Sequence, residues 1–403
     1  MKIVQINAVY RHSSTGRTTM EMHNALKHNG IDSYVFCANA SIPKEEGVYV
    51  IGTKLDHKIH ALCSRIFGLQ GYFSYFATRM LMSKLSKIRP DVVILRNLHA
   101  NYINVPMLLS YLIKHDIATI NVLHDCWSFT GHCCYYTEDR CDKWRSGCNH
   151  CSILYKYNKS LFFDNTSKLF AMKQNAFGRL KRLAVVGVSN WITNEAKQSP
   201  IFSNARIIQP IYNWIDMSVF YPRENLLLKR KLGLMNGEFV VLGVAQKWSG
   251  YKGVYHFISV AKQMPDVKFV MVGEMLSGIE LPNNIISIPP IKSVDVLAQY
   301  YSFADVFLNF SIQETFGKVS VEALACGTPI IVNNATANPE LCGGGCGFVI
   351  DDNNEADIIR AIRQIQQNGK VSYKTKCRCF AESNFDMEKC ISQYMELFDL
   401  LLN

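Results

Sequence analysis

The sequence predicts an α/β protein built from two Rossmann-like, doubly wound parallel sheets facing across a cleft. Short apolar runs alternate with stretches of helical periodicity, the alternation restarts after a proline-bounded segment at 210–222, and 403 residues are enough for two ordinary domains. "KIVQI" (2–6) reads as a strand, "TGRTTMEMHNALKHNG" (15–30) as a helix with a glycine stop, and "SYVFCA" (33–38) as the next strand. "DVVILR" (91–96), an amphipathic stretch at 103–115, "ATINVLH" (118–124) and "AVVGVS" (184–189) continue the series. The second series runs from "FVVLGVA" (239–245) through helices at 252–264 and 293–304 and strands at 267–273, 285–291 and 305–311. A helix from about 318, the strand "PIIV" (329–332) and a helix at 354–368 complete it. The expected organisation is a domain over 1–205 with a Cys-rich insertion at 126–151, a second over 206–384, and a C-terminal helix (385–403) that crosses back to the first. A hinge is expected near 205–225.

Composition narrows the class. Hydrophobic residues make up 48% and charged residues 19%, which is ordinary for a globular enzyme. No apolar run reaches the ~18 residues of a membrane span and the N-terminus lacks a signal-type apolar run, so the chain is expected in the cytoplasm. The charge is uneven: residues 1–200 carry 25 Lys and Arg against 13 Asp and Glu, residues 201–403 carry 18 against 20. No nucleic-acid signature accompanies the basic half, which puts phosphate groups or an anionic membrane ahead of nucleic acid as its partners; solubility alone is the plainer alternative. The segment 57–89 mixes His, Lys and Arg with Phe, Tyr, Leu and Met, as a lipid-surface segment or an amphipathic helix packed on its own domain would.

The segment "SIQETFGKVSVEALACGTP" (311–329) carries the chemistry. A helix opening at Gly317 or Lys318 places Glu314 in the loop before it and Glu322 one turn inside. The amides of Lys318 and Val319 then meet an anion such as phosphate. Two carboxylates beside that anion suit hydroxyl groups, as on ribose or hexose. A nucleotide sugar combines these groups. Acids that merely complement the helix dipole are the plainer alternative.

"ETFGKVSVEALACGTPII" (314–331) resembles the Glu-x7-Glu signature of retaining family-4 glycosyltransferases with the two-Rossmann GT-B architecture. "SSTGR" (13–17), "LRNLHANYIN" (95–104), "VLHDCWSFTGHC" (122–133), "IYNWID" (211–216) and "NPELCGGGCGFVI" (338–350) resemble further family segments in the same order, of the capsule and exopolysaccharide type. The resemblance implies that Glu314 binds the donor sugar and Glu322 the ribose. The diphosphate then falls to the amides of Lys318 and Val319, the Gly16 loop, Lys252 and Lys247. A lysine at 247 departs from the family's usual arginine, keeping the charge without the bidentate fork. His124, with Asp125 as an orienting group, is implied as the catalytic histidine, His99 as an acceptor-side group, and Arg96 stands where relatives often carry histidine. The implied donor is UDP- or GDP-linked, the implied acceptor a glycan or polyprenyl-diphosphate-linked saccharide, and no catalytic metal is implied. A nucleotide-sugar epimerase and a non-catalytic sugar-binding protein of the same fold are the alternatives.

"CCYYTEDRCDKWRSGCNHC" (133–151) adds Cys133 or Cys134, Cys141, Cys148 and Cys151. A C-x2-C pair with two upstream cysteines has the spacing of a structural zinc site. Unligated thiols or labile disulfides are the alternative.

Overall fold

The computed structural model describes residues 1–38, 45–224, 226–235 and 237–403. Asn225, at the end of the expected hinge, lies outside the described residues. The chain divides into two compact units: Met1–Ile211 with Ile391–Asn403, and Tyr212–Cys390. The boundaries expected near 205 and 385 thus fall six residues later.

The sheet of the first unit comprises β1 (Lys2–Asn7), β2 (Asp32–Cys37), β3 (Val48–Val50), β4 (Val92–Leu95), β5 (Ala118–Leu123), β6 (Leu183–Gly187) and β7 (Ile207–Pro210). Their order is β3-β2-β1-β4-β5-β6-β7, all parallel. The second unit holds β8 (Val240–Lys247), β9 (Lys268–Glu274), β10 (Ile285–Ile288), β11 (Val306–Asn309), β12 (Ile330–Asn333) and β13 (Gly347–Ile350). These run β10-β9-β8-β11-β12-β13, again all parallel. Strand order therefore reverses between β1 and β4 in one sheet and between β8 and β11 in the other. Helices diverge to opposite faces at such a point, leaving a crevice at the carboxyl ends of the two strands.

Central strands read as uninterrupted apolar runs because both faces of a parallel sheet are covered. β4, β5 and β6 are buried at every residue. Edge strands β3, β7 and β13 are short and largely half-exposed, so they lack that run and escape detection in the sequence. The strand expected over 285–291 ends at Ile288 because Pro289 and Pro290 have no N–H to give the ladder. A helix at Val371–Phe385 also escapes detection: its buried stripe, Tyr373, Cys377, Ala381 and Phe385, is one residue wide. The expected amphipathic segment 57–89 is two helices, Lys54–Phe67 and Tyr75–Ile88. Among the described residues no helix is long and apolar enough to cross a membrane.

The Nδ1 of His60, on the buried face of the helix Lys54–Phe67, lies 2.7 Å from Ser74 Oγ. Burial, with a smaller push from His57, lowers its pKa to about 4. The unfolded chain therefore takes up a proton between about pH 6.5 and 4 that the folded chain refuses, and stability falls as the pH drops through that window, by at most about 1.4 kcal/mol per pH unit for this group. Urea midpoints measured at pH 7 and pH 5 are expected to show the loss, and His60→Asn to reduce it; an unchanged slope would refute the assignment.

Candidate functional site

In the second unit, three neighbouring strands deliver side chains to one end of the sheet. Lys252 closes a single turn, Gly250–Lys252, shortly after β8. Glu314 follows β11, and Thr336 follows β12. The Lys252 ammonium donates to the Glu314 carboxylate, both largely shielded from solvent. The Glu314 amide donates to Thr336 Oγ1 at 3.0 Å and its carbonyl accepts from the Ala337 amide at 3.1 Å, so the main chain at Glu314 is fixed independently of its side chain. The Ile312 amide donates to the Tyr251 carbonyl at 3.1 Å, tying the β8 and β11 loops together. The pair thus sits at the switch point of the second sheet.

The helix Lys318–Ala325 opens here, with Gly317 as its N-cap at φ +87° and no side-chain cap. An αL residue without a capping side chain leaves the start of the helix to backbone amides, and a Cβ on Gly317 would lie 2.9 Å from Leu341 Cδ1. Beneath it, Asn309 Nδ2 donates to Ser320 Oγ at 3.0 Å and Asn338 Nδ2 to the Ser311 carbonyl at 2.8 Å. Glu322 is buried inside the helix and accepts from Tyr301 Oη at 2.9 Å, so one of its oxygens is already committed within the unit. Lys247 is exposed at the end of β8 and paired with Glu274 at 3.0 Å rather than with Glu314. The two expected diphosphate lysines therefore hold different carboxylates. Ser249, with its hydroxyl buried and without a hydrogen-bond partner among the described residues, is an additional polar group near Lys252.

In the first unit the switch point lies between β1 and β4. Gly16 is not in a loop: "SSTGR" forms the first turn of the helix Ser13–His28. The glycine is needed because a Cβ would lie 3.2–3.3 Å from the backbone of Tyr10 and Arg11, which folds over the turn. Arg96 leaves β4 buried, its Nη1 2.9 Å from His124 Nε2 beyond the adjacent strand β5, and its Nη2 3.3 Å from Gln5 Oε1 of β1. A guanidinium can only donate, so Nε2 of His124 accepts and the ring is neutral with its proton on Nδ1. Both oxygens of Asp125, expected to orient His124, accept from other groups: His99 Nε2 at 2.6 Å and the Trp127 amide at 2.9 Å. Burial holds the His99 pKa below the ordinary value, against the pull of Asp125. The sequence marked Arg96, His99 and His124 but not their pairing, which depends on the neighbouring positions of β4 and β5.

The cysteine-rich segment brings Cys133, Cys141, Cys148 and Cys151 around one small cavity, with Trp144 and Thr166 completing the wall. Their sulfurs are not at ligand spacing. Among the described residues, the only three Cys, His, Asp or Glu donors within 4.8 Å of one another are His99, Asp125 and Cys134. Sequence spacing thus brings the four thiols to one place without closing them.

Residues 227–380, most of the second unit, match the family described as glycosyl transferases group 1. The chain is 24% identical over 236 residues to N-acetyl-alpha-D-glucosaminyl L-malate synthase of Bacillus anthracis, covering 55% of this chain and 61% of that one. It is 28% identical over 190 residues to alpha-monoglucosyldiacylglycerol synthase of Acholeplasma laidlawii, covering 43% and 47%. The chain spans about half the length of these relatives. Among solved structures, sucrose-phosphate synthase from Thermosynechococcus elongatus is similar at a TM-score of 0.70 with 15% identity, covering 99% of this chain and 98% of that one. Anabaena HepE in complex with UDP is similar at 0.68 with 18% identity, covering 99% and 100%. The fold is GT-B, two Rossmann-like parallel-sheet domains.

Gly253 has φ +74° and a Cβ there would lie 2.3 Å from Phe310 Cβ, so Gly253→Ala is expected to destabilise the second unit by roughly 2–4 kcal/mol from backbone strain and overlap together. Chemical denaturation measures the loss; a change below about 0.5 kcal/mol, the usual range for a neutral surface site, would contradict the close packing of the β8 and β11 loops.

Proposed function

We propose that the chain is a retaining glycosyltransferase that moves a hexose-type sugar from a nucleoside diphosphate donor to a hydroxyl of a glycan or lipid-linked saccharide in surface polysaccharide assembly. The Lys252–Glu314 pair in front of an uncapped helix start is the observation that carries this reading. Together they match the two ends of such a donor. The diphosphate draws Lys252 away from Glu314 and meets the amides of Lys318 and Val319, where the helix dipole favours negative charge. Glu314, freed of its cation and fixed by its main chain, then accepts from sugar hydroxyls. Glu322, held by Tyr301, presents its carboxylate to the ribose. Lys247 adds charge at the phosphate side. The group 1 match over 227–380 and the likeness to a UDP-bound structure support a nucleotide donor.

Reaction begins as the bond between the anomeric carbon and the phosphate oxygen lengthens, the electron pair leaving with the nucleoside diphosphate. Lys252 and the helix start stabilise the departing charge. The acceptor oxygen attacks the oxocarbenium-like carbon from the same face and its proton passes to the departing phosphate, which retains configuration. Melting temperature is expected to rise with one of the UDP-, GDP- or ADP-linked sugars, by the equivalent of about 2.7 kcal/mol at a hundredfold excess over Kd. Glu314→Gln is expected to cut transfer about 10²-fold or more while leaving the melting temperature near that of the parent. Undiminished transfer would remove Glu314 from the mechanism, and donor binding without any transfer would favour a sugar-binding protein.

The acceptor side of this reading includes a membrane surface. Leu55, Ile59, Leu62, Phe76 and Met80, on the helices Lys54–Phe67 and Tyr75–Ile88, are 52–79% exposed. Exposed Lys54, Lys58, Arg65 and Arg79 share these helices. Apolar side chains beside basic ones suit an anionic lipid face, where a polyprenyl-linked acceptor resides. Flotation with phosphatidylglycerol vesicles is expected to carry the protein at low salt and to release it at high salt, and phosphatidylcholine vesicles to carry little. Binding that ignores both salt and Phe76→Ser would oppose this placement.

A further inference from the structure

Lys173 is fully buried in the first unit, and its ammonium forms no ion pair among the described residues. It donates to the Trp127 carbonyl at 2.6 Å and to the Thr130 carbonyl at 2.9 Å, and lies 3.5 Å from the centre of the Trp127 ring. A cation removed from water with only neutral acceptors is costly unless an anion stands close by. Asp125 acts on it without an ion pair, and the hydrogen bonds lead toward the cysteines. The Thr130 carbonyl and the Gly131 amide belong to one peptide group, and the Gly131 N–H donates to Cys148 Sγ at 3.1 Å. Charge at Lys173 polarises that peptide and strengthens its N–H as a donor to the Cys148 sulfur.

A second observation points to the same place. Cys133, Cys141, Cys148 and Cys151 line a cavity of about 20 Å³, the size of a single water or ion. The turn between the last two is held in shape without them: Lys143 Nζ donates to the Asn149 carbonyl at 3.1 Å and to the His150 carbonyl at 2.7 Å. Tetrahedral zinc–thiolate geometry places sulfurs about 3.8 Å apart, and here they stand back from that spacing around an ion-sized void.

We propose that Cys133, Cys141, Cys148 and Cys151 close around one soft divalent cation of the zinc type, and that Lys173, acting through the Thr130–Gly131 peptide, is the buried counter-charge of that centre. Binding releases one proton from each thiol to solvent, and the resulting four-thiolate site carries a net charge of about −2. Lys173 and Lys143 offset it. The centre stands outside the proposed transfer chemistry. Its consequence is structural: it ties the segment 133–151 to the strand end that carries His124, since Trp127 and Thr130, the acceptors of Lys173, lie between His124 and Cys133.

Zinc binding by the reduced full-length chain tests this. Protein purified with reductant, stripped and reloaded, is expected to hold one zinc per chain by elemental analysis. Cobalt in place of zinc is expected to give a sulfur-to-cobalt charge-transfer band with the strong visible absorption of a tetrahedral site. Cys148→Ser and Cys151→Ser should each weaken or abolish both signals. Lys173→Met and Lys173→Gln are expected to bind zinc 10- to 100-fold more weakly in chelator competition, the usual cost of removing a group that supports a ligand. A parent chain that gives no cobalt–sulfur band, or whose four thiols titrate as two disulfides in reductant, overturns the centre. A folded Lys173 variant with parental zinc affinity overturns the counter-charge.

Discussion

Reversal of strand order between β8 and β11 is the constraint on which the second unit's chemistry depends. Neighbouring crossovers leave the sheet in opposite directions there, so nothing covers the carboxyl ends of the two strands, and loops from both can reach one point. Lys252 and Glu314 meet at that point although 62 residues separate them. The Tyr251 carbonyl, Thr336 and the Ala337 amide all act on the main chain around Glu314, which leaves its carboxylate as the movable part. A cation held by a carboxylate in front of a helix start is a resting arrangement that an incoming phosphate can exchange. Main-chain fixation keeps that exchange local.

The first unit solves a different electrostatic problem at its own reversal. Arg96 and Lys173 are both buried, and burial lowers the pKa of each, that of Lys173 to about 7. Neither cation forms an ion pair with a carboxylate among the described residues. Arg96 instead donates to His124, Gln5 and the Met22 sulfur, and Lys173 to two carbonyls. Two cations kept dry in one unit shape their neighbours: one sets the tautomer of His124, the other the polarity of the peptide that faces Cys148. Asp125, the carboxylate between them in the chain, is occupied by His99 and the Trp127 amide.

How legible the site was differed from residue to residue. Glu314, Gly317 and Lys318 could be placed at the start of a helix because a buried apolar strand precedes them and Gly-Thr-Pro follows. The partner of Glu314 could not, since contact between two loops depends on strand order rather than on either loop. Glu322 could be placed one turn inside the helix, but not on its buried face against Tyr301, which packing decides. "SSTGR" is a loop only by the family resemblance; the periodicity itself starts a helix at Thr15, and the chain before it folds over Gly16 in the helix's first turn. The cysteines were legible as a group because spacing within 19 residues limits how far apart they can fall, whereas Lys173 carried no mark in sequence beyond one lysine on a helix.

By itself the sequence determined the rhythm of strands and helices, the restart that makes two sheets, and the helix that begins beside Glu314. Local periodicity and glycine and proline chemistry suffice for these because they act over a few residues. Only the tertiary structure decided which charges are paired and which are buried. That depends on which strands lie side by side, and side-by-side position is a property of the packed sheet, where a removal from water of a few ångströms outweighs anything the neighbouring residues in the chain can impose.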